Sequence, residues 1–284
     1  MFDPIQYEFF VRGMIVSTLA GGLCGLIGVY IILRKMAYIG HGLAHAIFGG
    51  AVISYVMSIN FFIGASLWGF ISAILINLAT RKRGIGGDAA IGIVTTASFA
   101  IGIALISKFK NFTRSFDAAL FGNILSVSES DVIAISTVSL IAVTAIFLGY
   151  KYLLFTTFEP EVAKFYGVPT VWVDAFFSLT LAAIIVVSLQ VLGVTMIAAA
   201  IVIPPVVARL ITKSFNRMLL LSVVVGAFSG LGGLYSSFYI DISSGPAVVL
   251  FSSTIFILTL SYTSLRDHLI LKRARTRESN SDTV

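Results

Sequence analysis

The chain contains 284 residues, of which 58% are hydrophobic and only 11% are charged. This composition excludes an ordinary water-soluble domain, in which about 25% of the residues are charged. The chain has a single cysteine and so cannot form an internal disulfide bond. Its net charge of +6 indicates membrane topology rather than a nucleic-acid surface, because the basic residues lie between long apolar segments.

Apolar segments long enough to cross a lipid bilayer follow one another along nearly the whole chain. Between Arg12 and Arg34 lie 21 uncharged residues, and between Lys35 and Arg81 lie 45, whereas a barrel strand needs only about ten. The sequence therefore predicts an all-α fold, a polytopic transmembrane helical bundle with about 8–9 membrane helices. The predicted segments are 13–33, 36–57, 61–79, 88–107, 131–150, 171–190, 193–211, 218–239 and 246–265.

One uncharged stretch is too long for a single crossing. It runs from 175 to 208 and is expected to form two short crossings, or one crossing and a half-helix. Gln190 and Gly193 mark the expected break. The choice between these two arrangements stays open at this point.

The distribution of lysine and arginine predicts the orientation. With the N-terminus outside and the C-terminus cytoplasmic, 15 of the 19 basic residues fall on the cytoplasmic side, as expected for a multi-pass protein of the cell membrane. The four on the outside are Arg12, Lys108, Lys110 and Arg114. We expect one transmembrane domain over 1–265 and a basic, polar cytoplasmic tail over 266–284.

Two histidines are the sharpest chemical feature of the sequence. His41 and His45 lie four residues apart, which places both imidazoles on one face of the second predicted helix. Two neutral imidazoles at this spacing can share one divalent transition metal ion. The alternative is that both side chains only form hydrogen bonds to neighbouring helices, although ionisable groups at membrane depth usually have a function.

Metalloenzymes that use spaced histidines fit this sequence poorly. The intramembrane zinc-protease motif H-E-x-x-H requires a glutamate after the first histidine, and Gly42 occupies that position. A membrane di-iron enzyme would need many more histidines than the three in this chain. We therefore assign no catalytic residue, and an intramembrane metalloenzyme is the least favoured class.

A polar segment over 158–169 interrupts the apolar pattern. Pro160 at an early helical position and Gly167 before Pro169 predict a short capped helix outside the membrane. It is either an ordinary amphipathic loop or a docking helix for a cytosolic partner. The residues assigned to docking are Phe158, Glu159, Pro160, Glu161, Ala163, Gly167 and Pro169.

A double proline lies inside a later apolar segment. Pro204 and Pro205 are expected to kink this helix, and such kinks often line a transport pathway, although packing alone could explain them. The sequence contains no Gly-Lys pair and so no P-loop, which means that another chain must bind ATP if transport depends on it.

Four stretches resemble the permeases of metal-importing ABC transporters, which take up manganese, zinc or iron. Residues 34–46 resemble the family's R-x-M-x-x-x-G-D-x-x-x-H-A segment, and 158–169 resemble its F-x-P-E-x-A-x-x-x-G-x-P coupling segment. Residues 193–212 and 239–247 resemble its G-x-x-L…P-A-A-x-A-R-L stretch and its outer loop before the last helix. The likeness extends in order through nearly the whole chain.

This resemblance implies a homodimeric permease that is not itself an enzyme. Two copies of a cytosolic ATPase would dock on the coupling segments, an extracytoplasmic metal-binding protein would deliver the ion, and no cofactor would be permanently bound. His41 and His45 match the family's metal-contacting aspartate and histidine, and the imidazole of His41 in place of a carboxylate shifts the preference towards zinc. A secondary metal-ion transporter driven by an ion gradient is the remaining alternative.

Overall fold

The computed structural model describes residues 4–80, 86–109, 120–122 and 127–281, with side chains as far as residue 270. All regular secondary structure in these ranges is helical, and eight of the helices are long and apolar enough to cross a membrane. The predicted helical bundle of 8–9 membrane helices is therefore confirmed.

Within the described ranges, ten α-helices follow a short 3-10 turn at Pro4–Gln6. Most of their bounds lie close to the predicted segments, and charged residues or turns separate them as expected, but the last helix continues past the predicted end at 265 into the predicted tail. The helices are α1 Glu8–Leu33, α2 Ala37–Val56, α3 Phe61–Thr80, α4 Gly87–Lys108, α5 Glu129–Leu148, α6 Tyr150–Phe158, α7 Pro160–Phe165, α8 Thr170–Ile211, α9 Phe215–Ile240 and α10 Ser244–Ser281.

Two helices begin earlier than charge alone predicts. Helix α1 extends back past Arg12, because this guanidinium pairs with Glu8 at 2.8 Å and with Glu129 at 3.1 Å. Helix α5 begins at Glu129 because a capping box closes its first turn: the Ser128 hydroxyl accepts from the Asp131 amide at 3.2 Å, and the Asp131 carboxylate accepts from the Ser128 amide at 3.0 Å. Capped and paired charges can thus lie within a helix.

Helix α8 has a break that divides it into two segments. Gly193 has φ +71° and ψ 163°, a conformation that favours glycine. At one end of α8, Asp174 pairs with Arg34 after the end of α1, and beyond the other end the ring of Phe215 lies 5.7 Å from that of Tyr30 in the last turns of α1. The chain therefore enters the bundle and returns to the same end, as two predicted segments joined near Gly193.

The core of the bundle consists of α1, α2 and α8, most of whose residues are buried. Helices α3, α4, α5 and α10 bury fewer than a third of the residues in their apolar windows and expose large apolar side chains such as Ile93, Leu140 and Phe147. Exposed apolar side chains are expected where lipid replaces water as the solvent. The helix that carries the two histidines is therefore among the most buried helices of the bundle.

Small residues hold α1 against α9. The backbones of Gly21 and Gly226 are in direct contact, the Ser17 hydroxyl donates to the Gly230 carbonyl at 2.8 Å, and the Ser222 hydroxyl donates to the Gly25 carbonyl at 2.6 Å. Because lipid provides no hydrophobic force between helices, such close packing and hydrogen bonds stabilise the pair. These glycines therefore serve to pack α1 closely against α9.

Candidate functional site

The two histidines lie together in the first half of α2. The ring centroids of His41 and His45 are 4.4 Å apart, and both side chains are partly buried. Their neighbours Gly42, Leu43 and Ala44 are buried, so the pair lies on the less enclosed face of a mostly buried helix. Metal–imidazole bonds are about 2.0–2.1 Å long, so small rotations of the two rings bring one nitrogen of each to a shared ion.

A backbone hydrogen bond orients the ring of His45. Its Nδ1 lies 3.0 Å from the carbonyl oxygen of His41, one turn earlier in the helix. A carbonyl oxygen only accepts, so Nδ1 carries the proton and Nε2 keeps the lone pair in the neutral ring. The same kind of contact fixes the tautomer of many metal-binding histidines, and here it makes Nε2 the available ligand.

Helix α4 forms the wall beside the pair. A side chain at Gly42 would collide with Ile91 and Thr95, so α2 and α4 are in close contact at this level. The ring of Phe99 lies 5.2 Å from that of His45 in an edge-to-face arrangement. On the other side of the pair, the ring of Tyr38 lies 5.9 Å from that of His41 in a tilted arrangement. Aromatic rings therefore border the imidazoles along the helix axis.

No group of three or more histidine, cysteine, aspartate or glutamate side chains comes together in the part of the chain that the structure describes. His268 lies on the exposed surface of α10, at the far end of the sequence from the pair. Two imidazoles alone hold a divalent ion weakly, since structural zinc sites use four ligands. Within the described residues, no third histidine, cysteine or carboxylate side chain joins His41 and His45, so an ion there would take its further ligands from other groups.

The predicted short helix is present as α7, with Pro160 at its first position. Gly167 has φ +76°, and two backbone bonds close the end of the helix: Gly167 N–H to the Lys164 carbonyl at 3.1 Å and Val168 N–H to the Ala163 carbonyl at 3.0 Å. This is a Schellman cap, for which glycine is the preferred residue. The helix prediction from Pro160 and Gly167 is confirmed.

Helix α7 exposes nearly all its side chains. Ala163 is fully buried and anchors it to the bundle, while Glu159, Glu161 and Lys164 are exposed. Four large apolar side chains around the helix are more than half exposed. They are Phe158, Phe165, Tyr166 and Trp172. An exposed aromatic surface with charges of both signs is typical of a protein–protein contact.

The double proline lies in the second segment of α8, and both residues are buried. Pro205 has no N–H to donate to the Ile201 carbonyl, and this oxygen lies against Gly28 of α1. The Ile201 side chain reaches α2 as well, where its Cδ1 would be 3.3 Å from a Cβ at Gly40. The segment around the double proline thus contacts α1 and α2 just before His41, and its predicted kink and role in a pathway stay predictions.

Arg34, the first residue of the R-x-M motif, has more contacts in the structure than its position in the sequence indicates. Arg34 bonds to three side chains that lie 122 to 140 positions further along the chain. An arginine at a helix end is most simply an interfacial anchor, so no local signal distinguished it.

The fold and the site define a multi-pass membrane protein of the transporter class. A family model described as the ABC 3 transport family matches residues 6–263. The manganese transport system membrane protein MntC of Listeria monocytogenes is 36% identical over 269 residues, covering 95% of this chain and 96% of that protein. The chelated iron transport system membrane protein YfeC of Yersinia pestis is 27% identical, covering 98% and 94%.

A solved structure agrees with these relatives. A chain of PsaBC from Streptococcus pneumoniae in complex with Fab superposes with a TM-score of 0.81 at 30% identity, covering 90% of this chain and 92% of that one. The chain belongs to the ABC 3 transport family.

Proposed function

We propose that this chain is the permease subunit of an ABC importer that carries a divalent transition metal ion across the cell membrane. Family membership supports the transport class, and relatives named for manganese and iron transport support the metal. The observation that carries the proposal is the pair of partly buried imidazoles, His41 and His45, on one face of α2. Energy would come from separate ATPase subunits.

The physical need for such a pair follows from the cost of desolvation. Moving a monovalent ion from water to a medium of low dielectric constant costs about 20 kcal/mol, and the cost grows with the square of the charge, so a bare divalent ion faces roughly 80 kcal/mol. Imidazoles, carbonyls and water along a path would lower this barrier in steps. Weak binding suits passage, because an ion must also leave each site.

The ligand set bears on which metal is carried. Manganese prefers oxygen ligands, whereas zinc, iron and copper accept imidazole readily. His41 and His45 present two nitrogen donors and no carboxylate within the described part of the site. We infer a broader preference than for manganese alone, with manganese, zinc and iron as the candidates.

The exposed helix α7 is the proposed docking site for the ATPase. Its aromatic side chains and charges are available to a partner, and its proline and glycine caps make it a rigid element. We infer from the distribution of basic residues that this end of the bundle lies in the cytoplasm. In a homodimer two such helices would engage two ATPase copies, and an extracytoplasmic binding protein would deliver metal at the opposite end.

Reconstitution tests the proposal directly. The permease, its ATPase and its binding protein are placed in proteoliposomes, and uptake of radioactive Mn²⁺ is measured with and without ATP. ATP-dependent uptake is expected from the wild-type complex. Replacing both His41 and His45 with alanine should abolish uptake but not assembly, whereas His268→Ala, which removes an exposed imidazole, should leave uptake unchanged.

Two results would contradict the proposal. Uptake that needs only an ion gradient and no ATPase would identify a secondary transporter. Normal ATP-dependent uptake by the double histidine variant would be consistent with import but would show that the metal does not depend on this pair.

A further inference from the structure

Arg34 lies at the point where α1 ends and the turn to α2 begins. Its guanidinium donates three hydrogen bonds: Nη2 to the Thr156 hydroxyl at 2.8 Å, Nε to the Thr157 hydroxyl at 3.0 Å and Nη1 to the Asp174 carboxylate at 3.0 Å. The side chain is only 9% exposed. We call Arg34 with Thr156, Thr157 and Asp174 the Arg34 clamp.

The environment of the clamp fixes the guanidinium in one orientation. Its central carbon lies 4.5 Å above the ring of Phe177 in α8, a favourable cation–π contact. Burial lowers the pKa of Arg34, and the carboxylate of Asp174 opposes this shift, so the group remains charged. A buried charge is costly to leave unpaired, and the partners of the clamp therefore have to move with it.

The two threonines belong to the segment that leads into α7. They lie in the last turn of α6, which ends at Phe158, two residues before α7 begins at Pro160. The Thr156 hydroxyl donates to the Tyr152 carbonyl of its own helix at 2.8 Å, and Thr157 donates in the same way to the carbonyl of Leu153. Each hydroxyl thus joins the backbone of α6 to the guanidinium.

On its other side the clamp adjoins the histidine helix. Lys35 follows Arg34 with φ +57°, a tight turn, and α2 begins at Ala37. His41 therefore lies little more than one helical turn inside α2. Helices move as rigid elements, so Arg34 offers a displacement of α6 and α7 a direct route to the start of α2.

We propose that Arg34 is a positioning residue that transmits the movement of α7 to the α1–α2 turn and so to the histidine pair. This inference rests on the proposed function, in which α7 docks on the ATPase. Arginine suits the role because its planar guanidinium holds its N–H donors at fixed angles and can bond to α6 and α8 at the same time. The ammonium group of lysine is a compact point charge and cannot hold all three partners in this geometry. The clamp then sets how many metal ions are carried for each ATP hydrolysed.

The test uses the complete transporter of permease, ATPase and binding protein in proteoliposomes. Mn²⁺ uptake and ATP hydrolysis are measured in the same vesicles, which gives the number of metal ions carried for each ATP. The melting temperature of each complex is measured separately. The variants are Arg34→Gln, Arg34→Lys and the double change Thr156→Val with Thr157→Val, which keeps the ion pair to Asp174 but removes both hydroxyls. Arg266→Gln is the matched control, since that guanidinium is exposed and contacts Asp267 next to it.

We expect the three clamp variants to assemble and hydrolyse ATP, while the ratio of metal to ATP falls at least about fivefold, within the range of changes in a coupling network. Arg266→Gln should keep the wild-type ratio. The double threonine variant keeps the buried charge paired and is the informative one if Arg34→Gln does not fold.

A purely structural clamp gives a different result. Uptake, hydrolysis and the melting temperature would then fall together while the ratio of metal to ATP stays unchanged, and this outcome overturns the proposal. A wild-type ratio of metal to ATP in the double threonine variant overturns it as well. Failure of the wild-type complex to transport with ATP would instead overturn the proposed function, and the role of the clamp with it.

Discussion

The Nδ1 atom of His45 lies 3.0 Å from the carbonyl oxygen of His41, so the first histidine of the pair orients the second through its own backbone. This relationship depends only on the four-residue spacing in a regular helix, and side-chain replacement at position 41 leaves it in place. The side chain at position 41 can therefore be changed without losing the orientation of the His45 ring.

The tautomer of His45 is the first testable consequence. With ¹⁵N-labelled histidine in the purified permease, Nδ1 should be protonated and Nε2 should be the nitrogen whose resonance moves on addition of Zn²⁺, because the carbonyl only accepts. A His268→Ala background removes the signal of the exposed histidine. A Zn²⁺-induced shift at Nδ1 of His45 would mean that the backbone bond opens to bind metal.

Replacing His41 with aspartate should change the metal preference. A carboxylate adds a hard, charged oxygen to one imidazole, and oxygen ligands suit manganese better than zinc. We expect the concentration of Zn²⁺ that halves Mn²⁺ uptake to rise about tenfold, at the lower end of changes made around metal sites. His268→Asp adds the same charge outside the site, and an equal rise in that control would contradict the prediction.

Gly167 provides a test of the docking helix. Its φ of +76° costs a residue with a side chain about 1–2 kcal/mol, although nothing lies within 4 Å of a Cβ at this position. Gly167→Val should distort the end of α7 and lower ATPase binding in a pull-down assay, while Gly167→Asn should be tolerated, because asparagine adopts this conformation more readily.

The matched control for Gly167 is Gly87→Val at the exposed start of α4, where φ is ordinary and the space is open. Equal loss of ATPase binding in Gly87→Val and Gly167→Val would point to a general effect of valine. Normal ATPase binding by Gly167→Val would argue against docking through α7.

The contact between Gly21 and Gly226 predicts a stability effect that is independent of transport. Gly226→Leu would force α1 and α9 apart and should lower the free energy of unfolding by about 2 kcal/mol, as overpacking does. Thermal unfolding in detergent measures the change. Gly92→Ala, with open space around its Cβ, should not destabilise the protein, and a similar fall in both variants would refute the packing argument.

Local signals in the sequence predicted most of the elements. Charged residues at the ends of apolar stretches located the spans, Pro160 and Gly167 located α7, and the spacing of His41 and His45 placed both rings on one face. Each of these signals acts within a few residues, through backbone propensity or helix periodicity. The break near Gly193 belongs to the same group, because the uncharged stretch was too long for one crossing.

Contacts between distant segments could not be predicted in this way. Gly193 and Gly122 both have positive φ and pack against each other's backbone, and the Thr195 hydroxyl donates to the Leu120 carbonyl at 2.8 Å. These residues lie about 70 positions apart in the chain. Their sequence indicates turns, but nothing in it identifies the partner of each turn.

The amino-acid sequence by itself determined the membrane location, the helices and the pair of imidazoles, because hydropathy and helical spacing are properties of neighbouring residues. The tertiary structure alone decided that α8 returns to its starting end, that Phe99 of α4 borders the pair and that Arg34 holds α6 and α8 together. Such relationships depend on which helices pack side by side, and in a lipid solvent that choice is made by small residues and buried polar groups spread across the whole chain.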